Sequence, residues 1–254
     1  MNNKNKANLL FVVISGIFIC NALIAEIIGS KIFSLEKLLG YNEISFSLFG
    51  VNDISLSFTA GVLLWPIVFI LTDIINEYYG KRGVKFISYL TVILILYAFV
   101  MIYMTIELPP AGFWELTNYN GNIFNLNTAF KLSLGQSLWI IIGSLIAFIV
   151  GQLLDVIVFH KIKNLTGERM IWLRANGSTF VAQLFDSFIV LYIAFGIGAD
   201  WEFNKIFALC ILNYIYKCTA AIVLTPLLYL FHYIIERYLG VESAKSLKAT
   251  AQNG

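Results

Sequence analysis

Charge is what this 254-residue sequence has least of. Asp, Glu, Lys and Arg make up 13% of it and hydrophobic residues 59%, where a soluble domain carries about 25% and about 45–50%. So little charge cannot keep a chain of this size in solution, and so much apolar surface excludes disorder. The net charge of +2 is too small to argue for nucleic acid. Histidine occurs only twice, and the three cysteines (Cys20, Cys210, Cys218) lie inside apolar runs; neither a disulfide framework nor a metal site is expected. There is no Gly-rich loop ending in Lys-Ser or Lys-Thr to bind nucleotide phosphates, no His-Glu-x-x-His and no Ser-His dyad. An enzyme is therefore not expected, and no cofactor is implied. With a mean hydropathy of +0.81, the chain reads as a polytopic membrane protein.

Crossing about 30 Å of hydrocarbon takes roughly 20 apolar residues in a helix. Six segments qualify, at about 8–28, 57–78, 84–106, 133–158, 178–198 and 206–233. The fold class expected is thus an all-α integral membrane protein, one domain over 1–254 built as a six-transmembrane-helix bundle. Strand alternation is absent, which argues against a barrel. The first span is too long for a signal peptide and Phe18-Ile19-Cys20 offers no cleavage site, so it is read as a helix. With the N-terminus inside, twelve Lys and Arg fall in inner segments and four in outer ones, with Lys217 inside a span. Positive loops stay in the cytoplasm, which places both termini there. Two long outer connections follow, at 29–56 and 107–132, the second with Trp114 and Tyr119 at the interface. An inner loop is expected at 159–177, where the sequons at Asn164 and Asn176 stay silent.

Ionisable residues in hydrocarbon cost at least about 2.5–3.5 kcal/mol and mark functional sites by default. Asp73, Asn76 and Glu77 share one helix face near the inner surface; the plainer reading pairs Glu77 with Lys81 and Arg82. Pro66, seven residues before Asp73, is expected to kink that helix and free the carbonyl near Val62. Gly151-Gln152-Leu-Leu-Asp155 is echoed by Ala182-Gln183-Leu-Phe-Asp186 in the next span, and the plainer reading of both is interhelical hydrogen bonding. Lys217, with Asn213 one turn away, is too deep to snorkel and is expected either to pair with Asp73, Asp155 or Asp186 or to be neutral. Glu26 is explained by pairing with Lys31, and His160 and His232 by interfacial positions at helix ends. Carboxylates, amides and nearby Trp65, Trp139, Phe185 and Tyr214 suit a planar, hydrogen-bonding heterocycle. From the residues alone, the solute stays at that class.

Leu71-Thr-Asp73-Ile-Ile-Asn76-Glu77-Tyr-Tyr-Gly80-Lys81 resembles the Asp-x-x-x-Glu-x-Tyr-Gly-Lys motif of the queuosine precursor transporters, also called the vitamin uptake transporter family. Arg174-Ala-Asn-Gly-Ser178-Thr179 followed by Gln183-x-x-Asp186-Ser resembles a second stretch of that family, with Ala182 where the family has Ser. The resemblance covers nearly the whole chain. It implies uptake of 7-deazaguanines such as preQ0, preQ1 or queuine across a bacterial inner membrane, ion-coupled or facilitated, with Asp73, Glu77, Gln183 and Asp186 the first candidates for substrate contact. Gln152, Asp155, Asn213 and Lys217 rest on the residues alone. The partners expected are the bilayer and a small heterocycle; a homodimer is left open. Two rival readings stand beside it. One is a substrate-binding subunit of an energy-coupling-factor vitamin importer, docking through Gly16, Ala22 and Ala25. The other is a membrane enzyme or scaffold without flux.

Overall fold

A computed structural model describes residues 3–136, 138–167 and 170–252; Arg169, counted above among the inner charges, lies outside them. The first apolar run forms α1 (Asn3–Ile28). A polar outer segment follows, with α2 (Leu35–Leu38) capped by Ser34, whose side chain accepts from the Lys37 N–H. Short antiparallel strands flank it, pairing Ile32–Ser34 with Ser57–Thr59 and Phe46–Leu48 with Val51–Ile54. A 3-10 turn, Ala60–Leu63, leads into α3 (Trp65–Ile106). The second outer connection holds α4 (Gly112–Glu115), a hairpin of Leu116–Tyr119 with Asn122–Asn125, and α5 (Leu126–Leu134), capped by Asn125. Then come α6 (Leu138–Thr166), α7 (Ile171–Leu191) running into a π-helical turn at Tyr192–Ile197, α8 (Phe203–Leu239) and α9 (Val241–Gln252).

Five helical stretches among the described residues are long and apolar enough to cross a membrane. Their outward faces are apolar, with Val12, Ile17, Ile93, Tyr97, Val100 and Val223 all exposed, as surfaces bathed in lipid must be. The protein is a multi-pass membrane protein.

The second stretch, α3, is 42 residues long, which as one rod would reach roughly 63 Å, twice a bilayer. It does not stay straight. Gly80 breaks it at φ 68, ψ −171, a left-handed backbone that glycine adopts without steric penalty. Contacts on both sides show that the chain doubles back there. Gly61, just before α3, lies against the Ala25 carbonyl. Tyr103, near its far end, donates to the Gln136 carbonyl, while the Gln136 amide donates to Glu26 O at 2.8 Å. Both ends of α3 therefore meet the same end of α1. Halfway along, Thr72 donates to Gln152 Oε1 at 3.2 Å, and Ser88, equally far beyond Gly80, lines a small cavity with the same Gln152. The expected spans at 57–78 and 84–106 fall on either side of Gly80, the first of them helical only from Trp65 onward.

Three expectations about the chain's course are corrected. Helix 57–78 does not exist as such, because 57–59 is a strand and the helix starts at Trp65. Pro66 consequently sits in the first helical turn, where a missing N–H costs nothing, and kinks no helix. The inner loop at 159–177 shrinks to a short connection, because α6 runs to Thr166 and α7 begins at Ile171. Hydropathy treats polar residues as loop, whereas here Lys163 and Arg174 continue the two helices and turn inward, both buried.

Close packing uses small residues where backbones approach. Ala22 and Ala25 are buried in the chain's own core, which removes most of the docking face that an importer subunit would need; Gly16 alone of the three is exposed. Helix α9 folds back onto the hairpin, burying Ala244, Lys248 and Ala251. A Cβ on Gly80 would lie 2.5 Å from the Ala251 carbonyl oxygen, so the corner admits no side chain. Pro226 lies inside α8.

Candidate functional site

Three helices line a partly open cavity. The first arm of α3 contributes Trp65, Pro66, Phe69, Ile70 and Asp73; α7 contributes Ala175, Asn176, Thr179 and Gln183; α8 contributes Lys217, Ala221, Thr225 and Leu228. Spacings of three and four on α3 and α7 put these side chains on one helix face. Of the nine residues predicted from sequence, Asp73, Gln183 and Lys217 line this cavity.

What distinguishes the lining is unmet hydrogen-bonding capacity. Asp73 Oδ1 and both polar atoms of Gln183 are buried without a hydrogen-bond partner among the described residues. Each such group costs about 1–3 kcal/mol when left unsatisfied, and most buried polar groups in folded proteins are satisfied. Asn176 and Thr225, by contrast, bond each other at 2.9 Å. The aromatic faces at hand are Trp65 and Phe69. Trp139 packs beside Gly198 and Phe185 is largely exposed, so neither shares the lining expected of it, and Tyr214 is not among the lining residues either.

Lys217 is paired with Asp186, a turn from Gln183 on the same face. Of the three partners considered, Asp186 is the one the structure selects. Asn213 turns back to its own helix, donating to Leu209 O at 3.1 Å. The Gln-Asp echo sits at the crossing of α6 and α7, where Gly151 faces Ala182 and Asp186. The two glutamines do not bond each other: Gln152 accepts from Thr72 and presents its Nε2 without a partner. Asp155 is fully buried and neither of its oxygens accepts a hydrogen bond among the described residues. The neighbouring Ser178 hydroxyl donates instead to Ala175 O at 3.1 Å.

Glu77 does not face the cavity. Lys163 Nζ lies 3.1 Å from one oxygen and Arg174 Nη2 2.7 Å from the other, with all three side chains at most 1% exposed. Its expected partners Lys81 and Arg82 are exposed instead. Asn76 is similarly engaged, with Oδ1 2.9 Å from His160 Nε2. Both histidines are buried within the protein, His232 beside the Tyr78 hydroxyl at 3.0 Å. Glu26 is buried too, and Ser144 rather than Lys31 is its partner. Sequence reasoning missed Lys163, Arg174, His160 and Thr179 as interior groups. For Arg174 and Thr179 the signal was present in the second family motif; for Lys163 only the helical spacing from Asp155 and Gln152 carried it.

The helices around the cavity fall within the stretch shared with known proteins. The family described as "Putative vitamin uptake transporter" matches residues 59–231. A Bacillus subtilis protein named "Probable queuosine precursor transporter" is 32% identical over 149 residues, 57% of this chain and 59% of that protein. A Haemophilus influenzae protein of the same name is 28% identical over 180 residues, 70% of this chain and 69% of its own length. The chain thus aligns with somewhat over half of the Bacillus relative. No solved structure matches. The matched region contains the α3 hairpin, the Glu77 triad and every residue of the cavity lining, and the chain belongs to the vitamin uptake transporter family.

Proposed function

We propose that this chain is an uptake transporter for 7-deazaguanine precursors of queuosine, crossing a bacterial inner membrane six times with both termini in the cytoplasm. The observation that carries the reading is the orphaned trio of Asp73 Oδ1 and the two Gln183 polar atoms beside Trp65 and Phe69. A deazaguanine presents adjacent N–H donors and a carbonyl acceptor on one edge of a flat ring. Asp73 accepts from that edge, the Gln183 amide donates and accepts, and the ring lies against the aromatic faces. The relatives' names point to the same solute class. Lys217 closes one wall, held there by Asp186.

The six crossings follow from counting the two arms of α3 separately, and the inside location of both ends from the Lys and Arg asymmetry. Flux by this chain needs no ATP-hydrolysing site within it, so the solute moves by facilitated or ion-coupled transport rather than by catalysis.

The test is thermal stabilisation of the detergent-purified chain by a panel of 7-deazaguanines, with guanine and riboflavin as controls, followed by uptake into liposomes. Binding to the folded state raises the melting temperature by mass action. Deazaguanines are expected to do so, and Asp186→Asn to abolish uptake while the protein still folds. Stabilisation by riboflavin alone, or full uptake by Asp186→Asn, overturns the assignment.

A further inference from the structure

Two groups of charges lie inside the bundle of spanning helices, and in each the carboxylates outnumber the cations by one. The first group is Glu77, Asp73 and Asp155 with Lys163 and Arg174. Glu77 holds both cations directly, and Asp73 lies within electrostatic reach of Asp155, Glu77 and Arg174. Around it stand His160, bonded to Asn76, and His232, bonded to Tyr78; Lys248 reaches toward the Tyr78 ring and Lys81 faces outward. The second group is Glu26 and Asp186 with Lys217. Asp186 holds Lys217, and Glu26 has both of them within electrostatic reach.

Glu26 stands apart within the second group. It is 6% exposed, yet no cation lies within ion-pair distance of it among the described residues. Its one side-chain partner is the neutral Ser144 hydroxyl, which donates to a single carboxyl oxygen. Around it α6 supplies Ser144, the connection before α6 supplies Gln136, α7 supplies Asp186 and α8 supplies Lys217. An uncompensated carboxylate held away from water is strongly disfavoured, so a surplus of one is met by a proton or a bound cation. Among the described residues no three His, Cys, Asp or Glu side chains form a group that could hold a metal ion. A proton needs only one oxygen.

The two groups flank the cavity. Asp73 lines it from the first group and Lys217 from the second, while Glu26 stands outside the lining, at the end of α1 away from the N-terminus. We propose that uptake is coupled to inward proton movement, with Glu26 taking up the proton from the outer side and the Asp73–Asp155 pair holding it beside the bound solute. Lys217 and Asp186 link the two positions. The proton is carried as a carboxylic acid O–H, and no bond in the solute changes. This inference rests on the uptake reading above and goes further by naming the coupling ion and the residue that receives it.

The experiment uses the full chain in liposomes and a radiolabelled 7-deazaguanine. Two readouts are taken side by side: accumulation driven by an imposed pH gradient (interior alkaline), and solute exchange with equal pH on both sides. Glu26→Gln is expected to keep exchange and the ligand-induced rise in melting temperature while losing at least ten-fold in gradient-driven accumulation. Glu26→Asp, which keeps a titratable group, is expected to restore accumulation and to move its pH profile. Gradient-driven accumulation by Glu26→Gln at the level of the unsubstituted protein overturns the inference. So does exchange by the unsubstituted protein without any response to the gradient. Absence of exchange in the unsubstituted protein overturns the uptake reading itself, and this inference with it.

Discussion

Replacing Glu77 by Gln preserves size and shape and removes the one negative charge on which two buried cations depend. Lys163 and Arg174 are 1% and 0% exposed, so neither can swing out to water. Stripping a buried ion pair of one partner costs about 3–5 kcal/mol, because the remaining charge keeps its desolvation penalty. For a chain of this size 1 kcal/mol moves the melting temperature by about 2–4 °C, so Glu77→Gln is expected to lower it by roughly 6–20 °C. The lower end applies if Arg174 turns to Asp73. Adding Lys163→Met to that background removes one of the two stranded charges and is expected to recover about half the loss. The melts are run in detergent at one fixed scan rate, since unfolding of such proteins is governed by rate as well as equilibrium. Ligand-dependent stabilisation is recorded on the same samples. Should Glu77→Gln melt with the unsubstituted protein and yet lose its response to deazaguanine, Glu77 would be a substrate contact and the triad energetically idle.

Three further outcomes are expected. Gln183→Met fills its space without stranding an amide, so the unliganded protein should melt at the same temperature or higher while the deazaguanine shift disappears; a preserved shift would remove Gln183 from the site. Gly80→Ala combines a positive φ with a Cβ 2.5 Å from the Ala251 carbonyl and should cost at least about 1–2 kcal/mol, read as a lower melting temperature; deletion of α9 relieves the clash but not the backbone strain, so the penalty should shrink without vanishing. In the outer segment, the Leu56 N–H donates to Glu36 at 2.8 Å and holds that carboxyl below its usual range. A carboxyl lowered by folding stabilises the folded state above its unfolded pKa, near about 4.3, and that contribution is lost as pH falls through the folded value. Protection of the Leu56 amide against hydrogen exchange should therefore hold from pH 8 to 5 and fail only below the ordinary carboxylate range; failure at pH 5 would contradict it.

The membrane character, the approximate positions of the crossings and the cavity residues Asp73, Gln183 and Lys217 were legible in the sequence because each follows from a local property. Hydropathy finds long apolar runs, and isolated polar residues stand out against them. The partner of each buried charge was harder to read, since pairing depends on which faces meet after packing. Glu77 illustrates this: sequence neighbours offered Lys81 and Arg82, whereas the cations that hold it come from α6 and α7. Hydropathy also misled at 159–177, where charged residues that complete an interior triad look the same as charged residues in a loop. Glu26 was paired on paper with its neighbour Lys31, but helical geometry turned it toward Ser144 instead.

The contact between Gly80 and Ala251 has a consequence for the order in which the protein is made. Gly80 leaves the ribosome about 170 residues ahead of Ala251, an interval of about ten to thirty seconds at ordinary rates of synthesis. Throughout that time the corner of the α3 hairpin lacks the helix that finally covers it, and its left-handed turn must hold by glycine's own freedom. A segment translated late thus seals a turn laid down early, so a chain cut just short of α9 has all five long apolar helical stretches of the described residues and its hairpin corner open.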